Sequence, residues 1–338
     1  MELPPILRFL IVGQLRREFI LTQGGKAFLD LQGGSLLYAA SGASVWDTGI
    51  GLLSRVGENY PHEWLDQIES KGFDSRGIHI LPDALDQRSF YAHTDFDTCH
   101  TDNPVSHFAR LGLPFPKSLL GYTNQEAKLE NRFSTSPITM RINDIPSDYL
   151  DASAAHLCPL DLVSHTMLPS ALRQGNISTI TVDPSPSYMD PTFWNDMPGL
   201  LKGISAFLPS EDKLLSLFQG RTTDLWEMAE ALASYGCEII VIKRGMRGQL
   251  LYDHTNRTRW IIPAYPARVV DPTGAGDTFC GGFLAGYHST YNPLEGVLAG
   301  NIAASLKVEG TGPFYGMDTL PGLAVARLDA LRAMVRKV

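Results

Sequence analysis

The feature that most constrains this chain is the run Asp271-Pro272-Thr273-Gly274-Ala275-Gly276-Asp277-Thr278-Phe279. Glycines on both sides of Ala275 allow a tight bend in which several backbone N–H groups point into one space. Residues 278–287 are small and apolar and predict a buried helix, whose positive end would face an anion held by the loop. Asp277 stands at that end, where a carboxylate suits removal of a proton from a hydroxyl that attacks phosphorus. A plain glycine turn capped by Asp277 is the alternative, but it leaves the second carboxylate, Asp271, unexplained.

The composition is that of an ordinary globular protein. The 338 residues, 44% hydrophobic and 19% charged, fit one large domain with a substantial core. A formal net charge of −8 argues against nucleic acid as a partner. The four cysteines lack metal-binding spacing and predict reduced thiols in a cytoplasmic protein. We expect no membrane segment and no signal peptide, because Arg8 interrupts the apolar stretch 6–12 and no cleavage-site pattern follows it.

Short apolar strands alternate with helices, which predicts an α/β sheet covered by helices. The predicted strands are 9–13, 49–56, 179–182 and 238–242, with a hairpin or sheet edge at 250–252 and 260–263. The last of the four strands is expected to be parallel and buried. The predicted helices are 35–42, 62–71, 224–235 with Thr223 as its N-cap, and 324–335. Residues 94–142 break this rhythm, since they are rich in Pro, Asn, Thr, Ser and His and show little periodicity.

The run at 271–279, with Gly281-Gly282-Phe283 after it, resembles the C-terminal signature of the ribokinase-like (PfkB) carbohydrate kinases. Further segments match in that family's order: Gly33-Gly34, 53–59, 71–74, 182–186, 241–248 and 299–305. The resemblance implies a ribokinase-like three-layer α/β/α sandwich with a mainly parallel central sheet and a small β-rich lid. It implies a single kinase domain over 1–338, with the lid formed by about 14–32 and about 85–145, and 94–142 as a long insertion.

The resemblance also implies the activity, which is transfer of the ATP γ-phosphate to a hydroxyl of a small sugar or sugar-like alcohol. Asp277 would be the general base, and the amides of Gly274, Ala275 and Gly276 would form an anion hole. One such donor in an enclosed site can lower the barrier by ~3 kcal/mol. The implied substrate-binding residues are Glu18, Gly33, Gly34, Tyr38 and Asp183, and the implied ATP-binding residues are Lys243, Gly245, Gly248 and Asn301.

Two metal sites follow from the resemblance. A monovalent cation, K⁺, would bind at Asp271 and Thr273, for which a cap-and-turn pair is an equally good interpretation. Mg²⁺ would accompany ATP, but the family's Asn-Xaa-Xaa-Glu motif falls on Ser210-Glu211-Asp212-Lys213. Because a cationic Lys213 cannot hold a metal, either Glu211 or Asp212 takes over through a shifted turn, or metal handling is weakened.

The roles of several side chains are less clearly indicated by the sequence. Glu18 is either a substrate-binding carboxylate or a solvated strand residue paired with Arg16 or Arg17. Tyr38 replaces an amide-bearing Asn of the family signature and so removes one hydrogen bond to a sugar. The histidines of the irregular segment and its flank, His93, His100 and His107, are expected to be solvated. The insertion itself would extend the lid, shape substrate choice or form a homodimer contact.

Two further functions remain open. A nucleoside is the main rival to a free sugar, because Tyr38, Phe90 or Tyr91 could supply an aromatic pocket for a base. The alternative from another class is a non-catalytic binding or regulatory protein built on a kinase fold. Lys213 and Tyr38 favour this alternative. Asp277 argues against this alternative, because a degenerate site has no physical need for that carboxylate.

Overall fold

The computed structural model describes residues 6–124, 129–130 and 136–338. The strands in chain order are β1 (Phe9–Val12), β2 (Arg16–Leu21), β3 (Ala27–Gly33), β4 (Ile50–Gly57), β5 (Asp74–Leu81), β6 (Arg88–His93), β7 (Cys99–His100), β8 (Ala154–Leu157), β9 (Thr179–Val182), β10 (Ala206–Phe207), β11 (Ile239–Lys243), β12 (Gln249–Asp253), β13 (Thr258–Ile262) and β14 (Arg336–Lys337).

The helices alternate with these strands along most of the chain. They are α1 (Ser35–Ser44), α2 (His62–Ser70), α3 (Pro104–Arg110), α4 (Leu162–Leu172), α5 (Met197–Leu201), α6 (Glu211–Leu217), α7 (Leu225–Ala233), α8 (Ala275–Thr290), α9 (Pro293–Lys307) and α10 (Leu323–Arg332).

A central sheet runs through the molecule in the order β14-β13-β12-β11-β10-β9-β8-β1-β4-β5. The strands from β11 to β5 in this order are mutually parallel, and β12, β13 and β14 continue the sheet in antiparallel pairing. Strands β1, β8 and β9 are buried along their whole length, because helices cover both faces of the sheet. This arrangement brings the C-terminal ends of the parallel strands to one edge, where ligands bind in open α/β sheets.

Two helical layers enclose the sheet. Helices α1, α2, α8, α9 and α10 pack on one face, through core residues such as Leu37, Leu284 and Leu331. Helices α4 to α7 pack on the other face, through residues such as Leu172 and Met228. The predicted three-layer α/β/α sandwich with a mainly parallel sheet is therefore confirmed.

The predicted elements lie within a few residues of the observed ones, with two differences. Helix α7 is capped by Asp224, whose carboxylate accepts hydrogen bonds from the N–H groups of Trp226 and Glu227, so the prediction of Thr223 as cap was wrong. The β11 strand is parallel to β10 but antiparallel to β12, so only one of its two neighbours matches the expected parallel type. Apolar periodicity depends neither on the exact position of a cap nor on the direction of a neighbouring strand, so it could not predict these two features.

A second sheet, which we call the lid sheet, has the order β3-β2-β6-β7. Its side chains alternate between two faces, as the strand period requires. Phe19, Leu21, Phe90 and Ala92 point to one face, where they form an apolar cluster with Phe108 and Leu119 from the 94–142 segment. That segment therefore does not form a plain irregular loop, because it contributes β7, α3 and part of the lid core. Residues 125–128 and 131–135 of it lie outside the described residues.

The described helices include none with the length and apolar character that crossing a membrane requires.

Candidate active site

A cavity opens on each side of the signature loop, by which we mean residues Asp271 to Asp277. The lid-side cavity has a volume of about 290 Å³, and residues from the loop, from α1 and from the lid sheet line it. The α9-side cavity, of about 390 Å³, lies between the loop, the segment after β13 and helix α9. Gly274 and Asp277 face the lid-side cavity, Ala275 and Gly276 face the α9-side cavity, and Pro272 lines both. The loop is thus the shared wall of two adjacent cavities.

The start of α8 shapes this wall. Gly274 is the N-cap residue with φ of 73°, a left-handed conformation that favours glycine. A Cβ atom there would come within 2.2 Å of the Tyr38 ring, so the position has no room for a side chain either. The first N–H groups of a helix have no partner within it and form a positive pole. The Ala275 N–H, however, donates to the Pro272 carbonyl at 3.1 Å, which leaves Gly274 and Gly276 as the predicted anion-hole donors.

Asp277 is part of the first turn of α8 and is partly exposed in the lid-side cavity. The helix begins at Ala275 and not at Thr278 as predicted, so Asp277 is inside the helix and does not cap it. The helix fixes the direction of the side chain, which lies beside the positive pole of α8. A carboxylate held in this way can accept a proton from a hydroxyl group bound in the cavity.

Glu18 and Tyr38 form a buried pair at the wall of the lid-side cavity. The Glu18 carboxylate accepts hydrogen bonds from the Gly34 N–H at 2.8 Å and from the Tyr38 hydroxyl at 2.7 Å. A Cβ atom at Gly33 would lie 2.1 Å from the Glu18 carboxyl carbon, so any other residue there would displace this carboxylate. Burial raises the pKa of Glu18 to about 7, although these two hydrogen bonds oppose the shift. The interpretation of Glu18 as a solvated residue paired with Arg16 or Arg17 is therefore wrong.

The lid strand β6 separates the three aromatic candidates for a base pocket. Tyr91 lines the lid-side cavity together with Tyr38. Phe90 is fully buried on the opposite face of the lid sheet, within the apolar cluster, so it does not line the cavity as predicted. The Tyr38 hydroxyl donates its hydrogen to Glu18. Tyr38 and Tyr91 are thus the two aromatic residues of this set that line the cavity.

Two of the three histidines, His93 and His107, differ from the expectation of solvated side chains. His93 is buried, lines the lid-side cavity and is hydrogen-bonded through Nε2 to the Thr273 hydroxyl at 2.8 Å. His107 is also buried, and with His100 and Asp102 it brings three metal-ligand atoms within 4.8 Å of one another. Arg110 donates to Nδ1 of His107 at 3.1 Å, so a cation already occupies part of that cluster. Alternation along β6 turned His93 inwards, which spacing alone does not reveal.

Asp183 is buried at the C-terminal end of β9 between two lysines. Lys213 donates to one carboxylate oxygen at 2.7 Å, and Lys243 donates to the other at 2.6 Å. Burial alone would raise the pKa of Asp183, but the two ammonium groups outweigh it and lower the pKa to about 2. The carboxylate is thus fully engaged and does not line the lid-side cavity, contrary to its predicted role in substrate binding. Ser185 and Pro186, two and three residues further on, line that cavity instead.

The residues predicted to hold the magnesium shell do not fit a metal. Glu211 is bound by the guanidinium of Arg247, and Asp212 is exposed at the start of α6. Neither residue lines either cavity. Lys213, at the place of the family's Glu, points its ammonium to Asp183. The structure gives no support to the expectation that Glu211 or Asp212 substitutes for the missing ligand, and we derive no step through a metal held by these side chains.

The predicted nucleotide-binding residues divide into two groups. Lys243, Gly245 and Asn301 line the α9-side cavity. Asn301 holds the segment after β13 in place: its Nδ2 donates to the Pro263 carbonyl at 2.9 Å and its Oδ1 accepts from the Tyr265 N–H at 3.0 Å. Gly248 does not line the cavity, contrary to the prediction. Its φ is 79° and a Cβ atom would lie 2.0 Å from the Ile262 carbonyl, so it serves the turn between β11 and β12.

The predicted monovalent-cation site is filled by a side chain that the sequence reasoning missed. Asp271 is fully buried, and its Oδ1 accepts a hydrogen bond from the Thr273 N–H at 2.9 Å. The ammonium of Lys307 donates to the Asp271 carbonyl at 2.9 Å and lies 3.6 Å from Oδ2 of the same residue. These oxygens therefore do not fit a free K⁺ in this chain. The available signal was a lysine within an apolar sequence, with Leu306 before it and Val308 after it.

A family model described as pfkB family carbohydrate kinase matches residues 146–320, just over half of the chain. The cytidine kinase of Thermococcus kodakarensis is 27% identical over 86% of this chain and 91% of that protein. A 5-dehydro-2-deoxygluconokinase of Geobacillus kaustophilus is 22% identical over 87% of this chain and 83% of that protein. Among solved structures, a putative ribokinase II of Escherichia coli in complex with ATP and Mg²⁺ superposes with a TM-score of 0.68, at 17% identity and over 97% of this chain and 99% of the other.

The fold and the loop between two cavities define a ribokinase-like sugar or nucleoside kinase. The chain belongs to the PfkB family of carbohydrate kinases. The predictions of family, fold class and kinase activity are therefore confirmed, and the alternative of a non-catalytic protein on this fold is not supported.

Proposed function

We propose that the chain transfers the γ-phosphoryl group of ATP to a hydroxyl of a sugar or sugar-like alcohol, with Asp277 as the general base. One observation carries this proposal: the signature loop separates the two cavities, so a donor bound on one side and an acceptor bound on the other meet at the start of α8. Asp277 lies on the lid side, where the acceptor hydroxyl would be. Phosphoryl transfer requires mainly positioning and charge stabilisation, and an adjacent pair of cavities with a helix pole between them supplies both.

The α9-side cavity suits the nucleotide. Its lining combines apolar residues such as Phe279 and Val308 with the fixed loop that Asn301 holds, which is the mixture that binds a heterocyclic base. Lys243 lies at the end of the cavity nearest the loop, since its Nζ is 3.7 Å from where a Cβ of Gly276 would be. Burial lowers the pKa of Lys243, but Asp183 outweighs it and raises the pKa, so the ammonium stays charged towards phosphate. Gly274 and Gly276 would donate their amides to the transferring group.

The lid-side cavity suits a compact polyol. Its lining includes the polar side chains of Gln14, Ser35 and Ser185 in addition to Asp277. The amide of Gln14 and the hydroxyls of Ser35 and Ser185 can each donate and accept hydrogen bonds, as recognition of several hydroxyls requires. Glu18 and Tyr38 would form a rigid part of its wall, because the Glu18 carboxylate accepts hydrogen bonds from the Gly34 N–H and the Tyr38 hydroxyl. Magnesium would arrive with ATP, bound by the phosphate oxygens of the nucleotide.

A nucleoside is the second candidate acceptor. Tyr91 lines the same cavity and presents an aromatic surface on which a base could stack, and the cytidine kinase likeness points in the same direction. A panel of pentoses, hexoses, inositols and nucleosides, each assayed for ADP release with MgATP, tests the proposal. We expect one class to give turnover well above that of ATP alone. If no compound of any class raises ADP release above that of ATP alone, the proposed acceptor chemistry is wrong.

We also propose that residues 1–338 act as one kinase unit, with about 14–32 and about 85–145 as its lid. A homodimer through the lid stays a prediction. One face of the lid sheet is covered by the chain's own 94–142 segment, so such a dimer would use the outside of that segment or a strand edge. Light scattering coupled to size-exclusion chromatography distinguishes a dimer from a monomer, and deletion of residues 104–136 tests whether the segment sets substrate choice or assembly.

A further inference from the structure

A complete ammonium group is buried beneath the signature loop. Lys307 is the last residue of α9, and none of its side chain is exposed to solvent. Its Nζ donates to the backbone carbonyl of Asp271 at 2.9 Å and lies 3.6 Å from the Asp271 Oδ2. Lysine is rarely buried without a partner because desolvation of its charge is costly. The position therefore has a counter-charge that balances it, and that counter-charge is the first residue of the loop.

The contacts of Lys307 reach two points of the loop. Asp271, which it contacts directly, accepts a hydrogen bond from the Thr273 N–H and so fixes the first bend. The N–H groups of Val270 and Asp271 donate to the carbonyl of Val308, which joins the loop to the end of α9. The Nζ of Lys307 also lies 5.3 Å from the centre of the Tyr38 ring, and that ring packs against Gly274. One cation thus supports both the start of the loop and its glycine.

The buried carboxylate of Asp271, beside Lys307, requires a positive charge close to it. Within the described part of the chain, Oδ2 of Asp271 accepts no hydrogen bond, so its charge depends on ion pairing. His93 lies 3.7 Å from Oδ1 of the same carboxylate, and burial lowers the pKa of this imidazole, so that it is neutral near pH 7. Burial likewise lowers the pKa of Lys307, but Asp271 and Glu18 oppose that shift. Because its Nζ contacts both the carbonyl and the carboxylate of Asp271, Lys307 is the side chain placed to balance the charge of this residue.

We propose that Lys307 is a fixed internal cation that takes the place of a bound monovalent ion beneath the signature loop, so that this kinase works without K⁺. A backbone carbonyl and a carboxylate are ligands that K⁺ and an ammonium group share, and the two cations cannot occupy one position. Lys307 is a positioning residue, since it acts on the anion-hole loop through Asp271 and Tyr38 and does not line the lid-side or the α9-side cavity. The rate measurements below depend on the proposed function, whereas the stability measurements do not.

The test compares the chain with two variants in KCl and in choline chloride at matched ionic strength. Lys307→Ser removes the ammonium and leaves space and oxygen ligands for an ion, whereas Lys307→Met removes the charge but fills the space. For the unmodified chain we expect the same ADP release and the same thermal unfolding midpoint in both salts. For Lys307→Ser we expect roughly 10- to 100-fold slower ADP release in choline chloride, and recovery of most of the loss in KCl or methylammonium chloride.

The stability readout uses the same salts without substrate. The unfolding midpoint of Lys307→Ser should rise with KCl concentration, and that of Lys307→Met should not. Lys202→Ser, at an exposed lysine, is the control and should respond like the unmodified chain. Activation of the unmodified chain by K⁺ would overturn the proposal, as would a folded Lys307→Ser variant that responds to neither K⁺ nor methylammonium in either measurement. An absence of ADP release by the unmodified chain with every acceptor would instead count against the proposed function, and the midpoint comparison would still decide the role of Lys307.

Discussion

Lys213 donates a hydrogen bond of 2.7 Å to the buried carboxylate of Asp183. This contact explains how the chain tolerates a lysine where its family has a metal-organising Glu. The ammonium does not face an empty metal shell, because it shares Asp183 with Lys243 and leaves the carboxylate between two positive charges. Lys213 is thus part of an ion-pair cluster at the C-terminal end of β9.

Removal of Asp183 should cost more stability than removal of Lys213. The Asp183→Asn substitution leaves two buried ammonium groups without a counter-charge and should lower the free energy of unfolding by about 3–5 kcal/mol. In Lys213→Met, Asp183 keeps Lys243, so we expect a loss of about 1 kcal/mol. Urea unfolding measures both, with the exposed Asp66→Asn as control. An equal or larger loss for Lys213→Met would contradict the shared-carboxylate arrangement.

Replacement of Asp277 by Asn should remove phosphoryl transfer and keep nucleotide binding. The amide preserves the shape of the side chain but cannot accept the hydroxyl proton, so the turnover rate should fall by about 10²- to 10⁴-fold. ADP release measures the rate, and calorimetric titration with ATP measures binding, which should change little. Retained turnover in a correctly folded variant would rule out Asp277 as the base.

The stability difference between the chain and its Glu18→Gln variant should depend on pH. The folded-state pKa of Glu18 is raised to about 7 from a reference of 4.5. Neutral Glu18 therefore stabilises the fold fully below about pH 4.5, and this contribution is lost as the pH rises through about 7. Because the glutamine side chain of the variant stays neutral, the variant should gain roughly 3 kcal/mol relative to the parent between these limits. Urea unfolding across this range measures the gain.

The exposed Glu58→Gln substitution is the matched control for Glu18, since its side chain is in water in the folded chain. We expect its stability difference from the parent to stay flat over the same pH range. A flat difference for Glu18→Gln as well would show that the carboxyl group titrates as it does in water, against its observed burial.

Asn301→Ala should weaken nucleotide binding without affecting the acceptor. The substitution removes the hydrogen bonds that hold Pro263 and Tyr265 beside the α9-side cavity. We expect the KM for ATP to rise by about 10-fold, which corresponds to the loss of one or two hydrogen bonds, and the KM for the acceptor to stay unchanged. Asn195→Ala, at an exposed position outside the lid, should change neither. An equal rise of both KM values would assign Asn301 to the whole active site.

Magnesium activation should not depend on Glu211. Because its carboxylate is bound by Arg247 and lines neither cavity, Glu211→Ala should leave the half-activating Mg²⁺ concentration within about 2-fold of the parent value. Arg247→Ala, which frees the carboxylate, is the partner variant and should behave alike. A large increase in the Mg²⁺ requirement for Glu211→Ala alone would show that Glu211 does contribute to the metal shell.

The local features of the site were predictable, because they depend on neighbours in sequence. The Gly-Ala-Gly bend, the helix after it and the position of Asp277 all follow from short-range backbone chemistry. Gly33 and Gly34, chosen from their spacing along the chain, lie beside Glu18 in the fold. The strands and helices that apolar periodicity predicted differ from the observed ones mainly at their ends, where capping by Asp224 in place of Thr223 is decided by one side chain. Other elements, such as β2, β8 and α4, were not predicted.

The sequence by itself determined the fold class, the family and the loop where phosphoryl transfer would occur, because these are encoded in runs of adjacent residues. Only the tertiary structure decided the partners of the charged groups: Lys213 and Lys243 on Asp183, Arg247 on Glu211, and Lys307 under Asp271. These pairs join residues that are 30 to 60 positions apart in the chain. Whether a carboxylate binds a metal, a substrate or a lysine depends on which charged group the fold places close to it. The spacing of residues along the chain does not give the distance between the carboxylate and that group.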